Sequence, residues 1–263
     1  MSRLLVCDSG VGGLSVVQAI RQRLPGASIA YLADRAGFPY GDWPADKLSD
    51  RVDRLVGRAL QTVEVDAVIL ACNTATTVAL DRVRARHDLP IVGTVPGIKP
   101  AAAITKTGVI GLAATAGTIG RAYTADLVRR FAADVTVVPV GCRHLARMAE
   151  DHLQGMPVAR QAITEELAPL FDRPDPPVDT VVLGCTHYPL LLDQLRAAAP
   201  RAIRWIDTGP AIAEQVARVA PAAPDTFLKA APALITGSEI SAGDHAIFRR
   251  FGFDHCQTLL FPA

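Results

Sequence analysis

Two stretches decide how this chain is read: residues 66–76, DAVILACNTAT, and residues 179–189, DTVVLGCTHYP. Each opens on an aspartate, runs through an apolar stretch to a small residue and a cysteine, and carries a threonine within two positions of that cysteine. Short apolar runs bounded by polar turn residues are strand signals, so Cys72 and Cys185 stand at strand carboxyl ends. Read alone, Cys185 in LGCTHYPLL is open to four readings: a packed small hydrophobe, half of a disulfide, a metal ligand or a reactive thiol. Its echo in Cys72 favours the last. Consecutive polar groups directly after a buried strand need partners, and Asn73-Thr74 and Thr186-His187 follow the two thiols. Asn73 and Thr74 also begin a helix, whose first amides suit a carboxylate.

Working outward, apolar runs alternate with amphipathic segments along the chain. RLLVC, SIAYLA, DAVILA, PIVG, TGVIGLA, DVTVVP, DTVVLG, AIRWID and PALIT read as strands. Leu48, Val52, Leu55, Val56, Ala59, Leu60 and Val63 recur at helical spacing after Pro44, a favoured first-turn residue. Strands alternating with helices imply an α/β fold of mostly parallel sheets flanked by helices. The starts LLVCDSGVGG and GVIGLAATAGT echo each other as the cysteine segments do, so we expect two similar lobes, pseudo-twofold related. The first comprises residues 1–97 and 208–263, with Asp8 and Cys72; the second comprises 98–207, with Cys185 and His187. Ligands bind beyond strand carboxyl ends in open parallel sheets, which places the expected active site in a cleft between the lobes.

Composition narrows the function. The chain has 263 residues, half of them hydrophobic, with 27 Lys plus Arg against 26 Asp plus Glu. That balance gives no electrostatic argument for nucleic acid or a membrane surface. No stretch reaches membrane-spanning length, and MSRLLVCDSG is interrupted by Asp8, unlike a signal peptide. The cysteines Cys7, Cys72, Cys142, Cys185 and Cys256 are widely spaced with no C-x-x-C pair, which argues against a disulfide framework and a zinc site. Reduced thiols suggest a cytoplasmic protein. Cys7, Cys142 and Cys256 lack polar flanks and read as packing.

CDSGVGGLS invites a dinucleotide reading, with Asp34 as the ribose acid. The pattern fails at its third glycine, where Ser15 stands, and Asp8 puts negative charge where a pyrophosphate would lie. FPYGD offers a turn whose Tyr40 and Gly41 amides suit an anion. One His beside one Cys makes no metal ligand set, so His187 is better placed as an acid/base partner.

DSGVGGLS, FPYGD, ACNTATT and GCTHYPLL, in this order and spacing, resemble the motifs of the glutamate racemase family, within the cofactor-independent Asp/Glu racemase superfamily. The likeness extends through VPGIKPAA and GVIGLAATAGTIGRAYT and weakens after about Gly209. One departure is Asp42-Trp43-Pro44, where the family usually carries an acidic or variable residue, then a basic one, then Ser. The resemblance implies racemisation of L- and D-glutamate without cofactor or metal, supplying D-glutamate for peptidoglycan. It makes Cys72 and Cys185 the proton donor and acceptor. Asp8 beside Cys72, and His187 with Glu150 beside Cys185, become auxiliary acid/base groups, with Asp151 as the alternative carboxylate. Ser9, Tyr40, Gly41, Asn73, Thr74 and Thr186 are implied as substrate donors, together with Asp8 and His187. Thr115 and Thr118 are candidates for the side-chain carboxylate, and Asp34 for either role or neither. A homodimer is compatible with the family. The alternatives are a racemase of aspartate or a hydantoin, and a binding role, since some members are reported to inhibit DNA gyrase.

Two thiols suit inversion, because one base would have to travel around the substrate. A thiol reference pKa of about 8.5 keeps both protonation states reachable near neutrality. If each sulfur approaches Cα at about 3–3.5 Å, the two should face each other about 6–8 Å apart.

Overall fold

The computed structural model describes residues 2–172, 175–220, 231–237 and 239–261. The C-terminal stretch assigned above to the first lobe therefore includes positions, 221–230 among them, that lie outside the described residues. Two compact units are present: residues 1–94 with 209–263, and residues 95–208.

The chain runs β1 (Arg3–Asp8), α1 (Leu14–Arg23), β2 (Ser28–Ala33), α2 (Ala45–Leu60), β3 (Ala67–Leu70), α3 (Asn73–Arg86) and β4 (Ile91–Gly93). It continues through α4 (Ile98–Ile104), β5 (Val109–Ala114), α5 (Ala116–Ile119), α6 (Ala122–Phe131), β6 (Thr136–Gly141), α7 (Leu145–Leu153) and α8 (Arg160–Phe171). The rest is β7 (Thr180–Leu183), α9 (Leu192–Ala198), β8 (Arg204–Ile206), α10 (Gly209–Val219), β9 (Ala233–Ile235), α11 (Ala242–Arg250) and β10 (Cys256–Thr258).

In the first unit the sheet order is β10-β9-β2-β1-β3-β4, and in the second it is β6-β5-β7-β8. Every pairing is parallel. The first four strands of each unit thus share one order, second-first-third-fourth, and each candidate thiol follows the third strand of its own sheet. All the apolar runs read as strands are strands. β10 was not foreseen; CQT has neither the apolar pattern nor the length of a strand signal.

The strands read as nearly continuous apolar runs because both faces are covered. Alternate residues Leu5, Cys7, Leu32, Val68 and Leu70 pack with Leu48, Val52, Leu55 and Val56 of α2 and Ala75, Ala79 and Val83 of α3. Each fully buried leucine there contributes on the order of 2 kcal/mol. In the second unit Ile98 and Ala101 of α4 and Leu127 of α6 pack on Ile110, Leu112 and Val182. Pro44 caps the helix from just outside it, one residue earlier than the first-turn position expected from the sequence.

Register aligns the strand ends. Asp8 pairs with Ala33 and Cys7 with Leu70, and the Asp34 N–H donates to the Asp8 carbonyl at 2.9 Å. The Thr236 N–H donates to the Ala33 carbonyl at 3.0 Å. Asp8, Asp34, Thr236 and the approach to Cys72 therefore lie together at the carboxyl ends of neighbouring strands of the first sheet. In the second, the Gly184 N–H donates to the Ala113 carbonyl at 2.7 Å and the Cys142 N–H to that of Ala114 at 2.8 Å. A Cβ on Gly184 would lie 2.9 Å from the Ala114 Cβ, so only glycine lets this strand end pass before Cys185.

Candidate active site

In the first unit, Asp8 closes β1 and the chain turns over it: the Gly10 N–H donates to Asp8 Oδ1 at 3.1 Å. Ser9 beside it is buried. The Ser15 hydroxyl folds back onto the Gly12 carbonyl at 2.8 Å, a use of the position that broke the dinucleotide pattern.

Cys72 caps α3 from an extended conformation and is 7% exposed. The joint that carries it is pinned by two threonines. The Thr76 hydroxyl donates to the Leu70 carbonyl at 3.1 Å, and the Thr94 hydroxyl reaches the Leu70 and Ala71 carbonyls at 3.0 and 2.8 Å. Asn73, at the first position of α3, is 2% exposed, and neither its amide nitrogen nor its amide oxygen has a hydrogen-bond partner within the protein. Leaving a buried amide unpaired costs about 1–3 kcal/mol, which a ligand carboxylate or ammonium would recover. Asn73→Ala should therefore raise KM for the substrate about tenfold or more with little change in melting temperature, read by steady-state kinetics and thermal denaturation. An unchanged KM would show that the amide serves no ligand. Thr74, next along the helix, is buried as well.

The Tyr40–Asp42 turn is held by a buried ion pair. Arg51 of α2 grips Asp34 through Nε to Oδ2 at 2.6 Å and Nη2 to Oδ1 at 2.7 Å. Tyr40 donates its hydroxyl to Asp34 Oδ2 at 2.6 Å and Thr236 donates to Oδ1 at 2.6 Å. Asp34 is 0% exposed and both oxygens accept hydrogen bonds, so it anchors the Tyr40-Gly41 turn. Burial, with the Asp34 charge and hydrogen bond, raises the Tyr40 phenol well above its ordinary value, so it stays a donor. The Arg51 guanidinium also lies over the rings of Trp43 and Phe261, each 5.3 Å from centroid.

In the second unit, Cys185, Thr186 and His187 follow β7 and all three are buried. His187 Nδ1 lies 3.8 Å from Cys185 Sγ, and its Nε2 lies 2.9 Å from Glu150 Oε1. Glu150 of α7, not Asp151, is the carboxylate that meets the histidine. Burial opposes charge on His187, but the hydrogen bonds and charges of Cys185 and Glu150 outweigh it and hold the imidazole well above its ordinary pKa. As imidazolium it is a donor at both ring nitrogens, one facing Cys185 Sγ and the other Glu150 Oε1. The sign of the pH effect follows. The pair stabilises the fold fully below about pH 6.5, the unfolded-state value, and that contribution is lost as pH rises through the higher folded value. In NMR titration the His187 ring should remain protonated at neutral pH, and Glu150→Gln should bring its midpoint down. A midpoint near 6.5 in the unaltered protein would contradict the arrangement.

Thr115 and Thr118 engage each other at the start of α5, with the Thr118 N–H donating to Thr115 Oγ1 at 3.2 Å and the two hydroxyls 3.0 Å apart. None of the five cysteines is in a disulfide. Burial, with the Asp8 charge, pushes the Cys7 thiol far up; burial and the Glu166 charge push Cys142 up to about 12. Both thiols are buried, and Cys256 is likewise raised by burial. Among the described residues no three His, Cys, Asp or Glu side chains gather as a metal site would, and no described helix is long and apolar enough to cross a membrane.

Sequence reasoning missed Arg51, Thr94 and Thr236, which hold the strand ends and the Tyr40 turn. Only Arg51 left a signal: it falls between Leu48 and Val52 on the apolar face of α2, where a cation demands a carboxylate. Thr94 and Thr236 each follow a short strand, and nothing local marks them.

Each unit thus sets a buried thiol and polar side chains after the third strand of a parallel sheet. The comparisons with known proteins give the class, an amino-acid racemase and so an isomerase. Residues 14–216 match the Asp/Glu/Hydantoin racemase family. Glutamate racemase of Proteus mirabilis is 47% identical over 215 residues, covering 81% of this chain and 74% of that protein. Glutamate racemase of Sodalis glossinidius is 45% identical over 214 residues, covering 81% and 73%. The crystal structure of Escherichia coli glutamate racemase in complex with L-glutamate and the activator UDP-MurNAc-Ala superposes with a TM-score of 0.93 at 37% identity, covering 100% of this chain and 99% of that one. The chain belongs to the Asp/Glu/hydantoin racemase family.

Proposed function

We propose that the protein interconverts L- and D-glutamate without a cofactor, using Cys72 and Cys185 as two bases on opposite faces of the substrate, and so supplies D-glutamate for peptidoglycan. The observation that carries this reading is the equivalence of the two thiols: each follows the third strand of a parallel sheet and each is flanked by buried polar side chains. The identity of the substrate rests on the named relatives.

One cysteine, as thiolate, takes the α-proton: an S–H bond forms, the Cα–H bond breaks, and the electron pair spreads into the α-carboxylate. The other, as thiol, delivers its proton to the opposite face and is left as thiolate. Acid–base help of this kind is worth about 10² to 10⁴ in rate, and donors preorganised around the carboxylate supply much of the rest. Asn73, Ser9, Thr74, Thr186 and the Tyr40 and Gly41 amides are the proposed donors, with Thr115 and Thr118 proposed for the side-chain carboxylate. His187, held by Glu150, is the proposed auxiliary acid/base group beside Cys185. Asp8 is a proton relay or orienter at Cys72, since a carboxylate beside a thiol disfavours the thiolate.

The test is exchange in D₂O with each pure enantiomer and no added cofactor. Inverted product carrying solvent deuterium at Cα is expected from both. Inversion with full retention of the original proton, or rapid turnover of aspartate with none of glutamate, would overturn the reading.

A further inference from the structure

The glycine-rich turn after β1 is tied to the body of its unit by one buried hydroxyl. Tyr31, inside β2, is fully buried, with its ring 5.6 Å from that of Phe248 in α11 and 5.9 Å from that of Phe253. Those two phenylalanines meet edge-on at 6.2 Å, so the C-terminal segment packs the tyrosine from two sides. The Tyr31 hydroxyl donates to the Gly10 carbonyl at 2.7 Å, while the N–H of the same glycine donates to Asp8 Oδ1 at 3.1 Å. The crowding leaves no freedom to drift: a Cβ on Gly13 would fall 2.8 Å from both the Tyr31 hydroxyl and the Asp8 Cβ.

We infer that Tyr31 is a positioning residue for the reaction: by holding Gly10 from its carbonyl side, its hydroxyl sets the orientation of the Asp8 carboxylate on the strand next to the one that leads into Cys72. The inference rests on the proposed glutamate racemisation and on assistance by Asp8 at the Cys72 face. Tyr31 is fully buried and acts through two hydrogen bonds in series.

Tyr31→Phe removes one oxygen and keeps the ring, so the unit should still fold. A racemisation has an equilibrium constant of one, so kcat/KM must fall equally in both directions, and only isotope effects report which face is slowed. With α-deuterated L- and D-glutamate, we expect kcat to fall about tenfold to a hundredfold, the penalty of a misplaced group. The primary isotope effect should grow for the enantiomer whose proton Cys72 removes and shrink toward one for the other. Phe248→Leu, which loosens the packing but keeps the hydroxyl, should lower the melting temperature and leave the two isotope effects as they are in the unaltered protein. Unaltered kcat and isotope effects in folded Tyr31→Phe, or the same asymmetry in Phe248→Leu, would overturn the inference. If the unaltered protein fails to racemise glutamate, the functional reading itself falls and carries this one with it. That outcome shows in the parallel assay before any variant is compared.

Discussion

Cys72→Ala and Cys185→Ala should each lower kcat/KM for glutamate racemisation by about 10²- to 10⁴-fold, by equal amounts in both directions. The size follows from what is removed: the substitution deletes the group proposed to gain or lose a proton in the transition state, while the strand end that leads to it remains. Cys72 and Cys185 are both nearly buried in well-packed units, and alanine fits the space without a new polar demand. The informative product is partial chemistry. Each variant keeps one thiol, so in D₂O it should still exchange the α-proton of one enantiomer with solvent, without inverting it. Cys72→Ala and Cys185→Ala should select opposite enantiomers. Mass spectrometry of recovered glutamate, with chiral separation, reads both outcomes. Racemisation that survives both substitutions would end the two-base scheme.

Arg51→Met should destabilise the first unit by about 3–5 kcal/mol, because it leaves the Asp34 carboxylate buried without its bidentate partner. At about 2–4 °C per kcal/mol for a unit of this size, the melting temperature should drop by roughly 10 °C. Tyr40 and Thr236 would still donate to Asp34, but two neutral hydroxyls do not replace a guanidinium that reaches both oxygens at 2.6 and 2.7 Å. The double variant Arg51→Met, Asp34→Asn should recover a large part of the loss, since an amide needs no counter-ion. A double-mutant cycle isolates the pair's coupling. A loss below about 1 kcal/mol would place the pair among weak surface contacts, in conflict with its burial.

Much of this architecture is legible in the sequence. DAVILA and DTVVLG carry strand signals within themselves, and Leu48, Val52, Leu55 and Ala59 carry helical periodicity in the same way. Parallel sheets followed from the alternation. The thiols could be singled out because their flanks are local: Asn73, Thr74, Thr186 and His187 are chain neighbours of the cysteines. Asp34 shows the limit. Its position after SIAYLA suits a binding acid as well as an anchor, and nothing near it in the chain foretells that Arg51 from α2 and Thr236 from the C-terminal segment meet it.

The sequence by itself determined the α/β class, the strands that build the sheets, and the two thiols at matching strand ends, because each of these is written in residues within a few positions of one another. Only the tertiary structure decided that Glu150 and not Asp151 meets His187, that Asp34 is spoken for, and that Tyr31 reaches the turn over Asp8. Those choices depend on which strand ends and helix faces become neighbours across tens to hundreds of residues. Side-chain hydrogen bonds are made at about 3 Å, and a local pattern carries no information at that distance about a partner so far along the chain.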